Sequence, residues 1–138
     1  MGLKKLYATD ESAEADGVWN DFGGVFRVKI ARAGNGNPKF MKELTRAAKR
    51  ANGVSTPEME RAALQDVYAH TVVKGWQTCV DGQWQDGIDM DEGELLPSNP
   101  ETYKRVFEEL PDVYTSIVRL ADDASNYRKS ALEASAKN

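Results

Sequence analysis

Apolar and basic residues alternate along residues 25–32, and this pattern predicts a β-strand. Its apolar side chains lie two positions apart and share one face: Phe26, Val28 and Ile30. Gly23-Gly24 comes directly before and suits a two-residue hairpin turn, because glycine tolerates positive φ. Residues 18–22 are the expected partner strand. We therefore expect an N-terminal β-hairpin, packed on other elements because a lone hairpin is marginally stable in water.

Apolar residues spaced three and four positions apart predict two helices in the next part of the chain. Asn37-Pro38 supplies an N-cap and a first helical residue, and Asn52-Gly53 supplies a helix end. Ser55 and Glu58 have the spacing of a capping box that opens the second helix. This helix is expected to end near Lys74-Gly75, and its wide apolar surface is typical of a central helix.

Two more helices are predicted in the C-terminal part. The third begins at Asn99-Pro100 and runs to about Leu110, where Pro111 breaks it. The fourth begins at Asp112 and carries an apolar seam with a four-three alternation: Val113, Ile117, Leu120, Ala124, Tyr127 and Ala131. We expect the seam to be buried within the domain, although the same pattern is compatible with an intermolecular coiled coil.

The remaining segments lack periodicity. Residues 8–17 are acidic and polar and predict a loop, and residues 76–97 predict a loop with at most a short strand pair. The expected fold is therefore a single mainly helical α+β domain over residues 1–138, with an N-terminal β-hairpin beside about four helices. The ends, residues 1–17 and 133–138, are expected to be flexible.

Composition narrows the class of protein. The chain has 138 residues and a formal net charge of −4, but its charges are segregated. Residues 25–50 hold eight basic side chains and one acidic one, whereas residues 81–112 hold ten acidic and two basic ones. Such segregation can guide association, including self-association. A single cysteine, no long apolar run and no apolar leader predict a soluble protein of a reducing, intracellular compartment.

Candidate chemistry is sparse. His70 and Cys79 have no spacing that defines a catalytic pair, and the acidic residues 86–94 fit neither register of a calcium-binding loop. Gly34-Asn35-Gly36 precedes a helix but lacks the lysine of a phosphate-binding loop. The acidic pI, near 5.1, argues against nucleic-acid binding. We expect no enzymatic activity, no catalytic residues, no cofactor, no metal site, no nucleic-acid partner and no membrane partner.

Four features follow one another along the chain: an alternating strand that runs into a Gly/Asn turn, a helix end that meets a tryptophan, an acidic loop with a second tryptophan that closes on two leucines, and a helix broken at Leu-Pro. They lie at residues 26–35, 72–76, 84, 95–98 and 107–111. In their order and spacing, these features resemble the tail assembly chaperones of long-tailed, siphovirus-type bacteriophages.

The resemblance implies a non-enzymatic protein that binds the tape measure protein and recruits tail tube subunits during tail assembly. It implies action in the cytoplasm of the infected bacterial host and absence from the mature virion. Ribosomal frameshifting is also implied, because Lys137-Asn138 is what a slippery A-AAA-AAC heptamer would encode. The alternatives are another small phage structural or adaptor protein, such as a head-tail connector component, and a nucleic-acid-binding regulator.

Four residues are candidates for contact with a partner. Trp76 and Trp84 flank a polar loop, and exposed aromatic side chains are favoured anchors in protein interfaces. Leu110 and Pro111 form the helix break on which the resemblance partly depends. The alternative for the tryptophans is that one or both hold the loop on the core.

Overall fold

The computed structural model describes residues 2–91 and 93–136. The α-helices in this part are α1 (Leu3–Tyr7), α2 (Glu11–Asp16), α3 (Pro38–Ala51), α4 (Pro57–Thr71), α5 (Pro100–Glu109), α6 (Pro111–Asp122) and α7 (Lys129–Ala136). The strands are β1 (Val18–Phe22), β2 (Phe26–Ile30), β3 (Val73–Val80), β4 (Gln83–Asp86), β5 (Ile88–Asp89) and β6 (Leu95–Leu96). Lys137-Asn138, the basis of the frameshifting expectation, lies outside the described residues.

Strands β1 to β4 form one antiparallel sheet in the order β1-β2-β3-β4, and β5 pairs with β6. The predicted pairing of β1 with β2 is confirmed, with Val18 opposite Ile30 and Phe22 opposite Phe26. The predicted two-residue turn is wrong by one residue, because Gly23, Gly24 and Val25 all lie between the paired strands. The two glycines have φ angles of 68° and 74°, which only glycine adopts readily.

The expected architecture, an N-terminal hairpin beside four helices, is wrong. Strands β3 and β4 double the sheet and come from residues assigned to a helix end and a loop. Helix α4 ends at Thr71, because the Val72 carbonyl accepts a hydrogen bond from the Ala31 amide at 2.7 Å and the chain continues beside β2. Pairing with β2 thus overrides the helical spacing of the preceding residues. Asp81-Gly82, with φ of 51° and 79°, then turns the chain into β4.

The predicted long final helix is also wrong, because the chain leaves helical geometry after α6. The Asp123 carboxylate accepts hydrogen bonds from the amide and the hydroxyl of Ser125, at 3.0 and 2.7 Å, and this local bonding opens a short 3₁₀ helix instead. The 3₁₀ helix delivers Tyr127 to the core, where its hydroxyl donates to the Ile30 carbonyl at 3.0 Å. Helix α7 begins only at Lys129.

The predicted loop over residues 8–17 instead contains helix α2, which is held onto the fold by a buried acid. Asp10 caps the helix by accepting from the Ala13 amide at 3.0 Å. Glu14, 8% exposed, forms a salt bridge of 3.2 Å with Arg32. A side chain at Gly36 would collide with this carboxylate and displace Glu14 from its position beside Arg32.

The core lies between one face of the four-stranded sheet and helices α5 and α6, and the base of the α3–α4 helix pair closes it with Phe40, Val67 and Tyr68. Val28 and Ile30 of β2 are fully buried against this layer, together with Phe107 of α5 and Ile117 of α6. An aromatic stack extends the core across the sheet, with ring centroids 4.7 to 6.4 Å apart, through Phe22, Phe26, Trp76 and Tyr103. The sheet is therefore apolar on this inner face and exposed or half-buried on its outer face.

Ile117→Ala should destabilise the fold by about 2–5 kcal/mol, because it leaves a cavity at a fully buried position of α6. Leu120→Ala should cost less, since Leu120 is only half-buried at the edge of the same core. Urea unfolding of both variants measures the difference. Equal and small losses would contradict the described packing of α6.

Candidate functional site

Helices α3 and α4 form a helical hairpin whose far half is unlike the rest of the molecule. We call residues 41–64 of this hairpin the arm. None of these residues is buried, whereas the base of the hairpin contains Phe40 of α3 and the buried residues of α4 from Gln65 onward. Met41, Leu44 and Ala47 of the arm still pack against the core cluster as partly buried residues, and the arm beyond them extends away from it.

The base of the arm is held by Asn37, which is 1% exposed. Its side-chain oxygen caps α3 by accepting from the Phe40 amide at 3.4 Å, as the Asn-Pro pair in the sequence predicts. Its amide nitrogen donates to the Thr71 carbonyl at 2.8 Å, at the last residue of α4. One buried side chain therefore joins the start of the hairpin to its end.

The tip of the arm is closed by local hydrogen bonds. Asn52, with φ of 44°, ends α3 as predicted. The predicted capping box of Ser55 and Glu58 is wrong by one residue: Thr56 is the N-cap and accepts from the Met59 amide at 3.2 Å. The conformation of the tip is thus determined by the residues that end α3 and begin α4, and not by contacts with the core.

An open groove of about 520 Å³ runs between the two helices of the arm. Apolar side chains from both helices line it: Leu44, Ala47, Ala51, Met59, Ala63 and Leu64. Met59 is 56% exposed and Leu64 is 37% exposed, although both belong to the apolar side of α4. Contiguous apolar surface left exposed between two helices makes this groove the candidate interaction site of the molecule.

Of the predicted partner-contact residues, Trp76 lies in the core. Its ring stacks on Phe26 and Tyr103, and only 4% of the residue is exposed. Trp76 therefore holds its segment on the core, which is the alternative to a role as an interface anchor. The residue drops out of the candidate contact surface because no face of its ring remains for a partner.

Trp84 lies on the outer face of the sheet, where it is half-buried. The Arg27 guanidinium stands 4.6 Å from the ring centre of Trp84 and 4.7 Å from that of Trp19. Arg27 also donates to the Gln77 side chain at 2.6 Å. These contacts cross all four strands of the sheet, so Trp84 supports the sheet while part of its ring stays accessible.

Leu110 and Pro111 lie at the junction of α5 and α6. Pro111 is the first residue of α6, as its fixed φ favours, and Leu110 is 45% exposed. The four predicted residues thus occupy three separate places and form no common surface. Sequence reasoning missed the arm groove because Met59 and Leu64 carry the same helical spacing as core residues.

The described residues hold neither a membrane-crossing helix nor a metal cluster. In residues 2–91 and 93–136 no helix has the length and apolar character needed to span a bilayer. In the same residues no three His, Cys, Asp or Glu side chains converge so that they could hold a metal ion.

Comparison with known proteins identifies the family. A family model described as "YdaY prophage protein" matches residues 34–138, which is more than half of the chain. The chain belongs to the YdaY prophage protein family. It is therefore a phage-derived protein, and the match to this family includes the whole arm. No curated protein and no solved structure matches the chain.

Asn37→Ala should destabilise the protein by about 2–4 kcal/mol, because it removes a helix cap and leaves the buried Thr71 carbonyl without its donor. Asn37→Ser should recover about 1 kcal/mol, since serine restores the cap but does not reach Thr71. Thermal and urea unfolding measure both. Equal stability of the two variants would show that the cap contributes nothing at this position.

Proposed function

We propose that this phage-derived chain is a tail assembly chaperone that binds the tape measure protein through the arm and recruits tail tube subunits to it. In this role the chain is non-enzymatic, acts in the cytoplasm of the infected host and is absent from the mature virion. The resemblance of the sequence to such chaperones supports this role, and membership of a prophage protein family agrees with it.

The observation that carries the proposal is the open apolar groove of the arm. Helices that bind in grooves do so by placing an apolar stripe between the helices of the receptor. Burial of a fully exposed side chain of this size contributes roughly 1.5–3 kcal/mol, and Met59 and Leu64, which are 56% and 37% exposed, gain the corresponding fraction of it when a partner covers them. A tape measure protein, as a long and largely helical chain, offers such stripes and needs them covered before the tail tube surrounds it.

Recruitment of a tube subunit requires a second surface that the tape measure protein leaves free. The outer face of the sheet with Trp84, and the exposed Leu110 at the α5–α6 junction, are the candidates for this contact. Both belong to elements other than α3 and α4. A chaperone with two separate surfaces can hold one partner while it presents the other.

Co-expression with the tape measure protein of the same phage should yield a soluble complex, whereas the tape measure protein alone should aggregate. The combined change Met59→Asp and Leu64→Asp should abolish the complex, because it places charge in the groove. Val25→Asp is the matched control, since Val25 is an exposed apolar residue, 63% accessible, in the β1–β2 turn. Co-purification and the soluble yield of the tape measure protein are the readouts.

Two outcomes would contradict the proposal at different points. If the tape measure protein stays insoluble and does not co-purify with the unmodified chain, the chaperone role is wrong. If a complex forms but the double aspartate variant retains it, the role stands and the arm is not the binding surface. All variants change exposed side chains, so their unfolding temperatures should stay close to that of the unmodified chain.

A further inference from the structure

We infer that the arm groove takes an acidic amphipathic α-helix, with the apolar stripe of the helix in the groove and its carboxylates directed toward α3. This inference rests on the proposed function, because it describes by its chemistry the segment that the chaperone binds. It commits to a helix of a different protein and not to a second copy of this chain.

The shape of the groove suits a helix of about three turns. The α3 side of the arm, residues 41–51, extends about 16 Å at the usual rise per residue. Four alanines line the groove, at positions 47, 48, 51 and 63, and their small side chains leave the space between the helices unfilled. Larger side chains from an incoming helix can enter there, as ridges of one helix enter grooves of another.

Charge decides which kind of helix fits. A second cavity of about 410 Å³ adjoins the apolar groove, and the two share Arg50, Asp66 and Val67 in their walls. Lys39 and Lys42 of α3 also line this second cavity. The apolar groove therefore continues directly into a cationic surface, to which carboxylates on the flank of a bound helix would be attracted.

The acidic side chains of the second cavity are already paired, and Glu60, the glutamate that lines the apolar groove, accepts a hydrogen bond from the Ser55 hydroxyl at 2.7 Å. Glu43 forms a salt bridge of 3.0 Å with Arg46, and Asp66 forms one of 3.0 Å with Lys104. Over residues 2–91 and 93–136, no carboxylate comes within salt-bridge distance of the cations that remain: Lys39, Lys42 and Arg50. The positive charge of these three side chains is therefore available to attract an acidic partner. A basic helix would be repelled by them.

A second copy of the chain does not offer the required helix. Among the helices of ten or more residues that the structure describes, α5 carries three glutamates, Glu101, Glu108 and Glu109, beside Lys104 and Arg105. Its apolar residues Tyr103 and Phe107 are 3% and 0% exposed in the core of its own subunit. Since α5 cannot turn this face outward without unfolding the core, charge complementarity favours a different protein.

Two labelled peptides test the inference with the full chain. Both are helical, about 14 residues long, and carry the same leucine stripe, but one has glutamate and the other lysine at every flanking position. Fluorescence anisotropy at low salt should show at least about tenfold tighter binding of the glutamate peptide. Met59→Asp with Leu64→Asp should weaken that binding at least about tenfold, whereas Val25→Asp should leave it unchanged.

Charge reversal on α3 tests the orientation of the bound helix. Lys42→Glu with Arg50→Glu should remove the preference for the glutamate peptide and favour the lysine peptide. Lys5→Glu is the matched control, because Lys5 is an exposed lysine of α1, outside the walls of both cavities. Equal binding of the two peptides, or a preference that survives the α3 reversal, would overturn the inference.

Sedimentation of the chain alone tests the competing occupant. A dimer that disappears in the double aspartate variant would show that a second copy fills the groove, and would overturn the commitment to a different protein.

The failure of the proposed function and the failure of this inference give different results. Binding of the glutamate peptide without any tape measure complex would remove the proposed function alone, and a tape measure complex without peptide preference would remove only this inference.

Discussion

Strand β2 and the three residues that follow it are fixed by hydrogen bonds to elements from the whole length of the chain. Along β2 itself the backbone pairs with β1 on one side and β3 on the other. From its last residue onward, four consecutive residues bond to distant segments: the Ile30 carbonyl to the Tyr127 hydroxyl, and the amides of Ala31, Arg32 and Ala33 to the carbonyls of Val72, Glu14 and Ala121. Backbone groups buried at this depth must be paired, so the surrounding elements cannot shift independently.

This arrangement explains why the α3–α4 hairpin has a rigid base and an open tip. The hairpin begins at Asn37, a few residues after β2, and ends at Val72, whose carbonyl is bonded to the Ala31 amide. Both of these residues are buried and hydrogen-bonded. Toward the tip the burial decreases, and none of residues 48–64 is buried or packed against the core cluster. Segments with few buried apolar contacts have low local stability, and such segments are the ones that proteins use for binding.

Sequence reasoning located the features that depend on neighbouring residues. The glycine turn of the first hairpin, the Asn37 cap and the break at Pro111 were predictable because each follows from local backbone chemistry. Asp81-Gly82 is an equally local signal of a second hairpin, the one that connects β3 and β4. The end of α6 before Asp123 is harder to predict, because apolar residues with helical spacing continue beyond it.

The candidate site was less predictable for a physical reason. The spacing of Met59 and Leu64 shows that α4 has an apolar face there, but spacing alone does not show what covers that face. Whether a tryptophan is an anchor or a core residue depends in the same way on strand pairing, which placed Trp76 inward and Trp84 outward. Partner surfaces are thus defined by what the tertiary fold leaves uncovered.

Hydrogen–deuterium exchange of the full chain, free and in complex with the tape measure protein, tests the central claim that the arm is an unfilled partner site. The free chain should exchange fastest along the arm and slowest along β2, where the backbone is most completely paired. On complex formation, slowed exchange should concentrate in residues 41–64. Slowed exchange confined to the strands of the sheet, with the arm unchanged, would contradict the account.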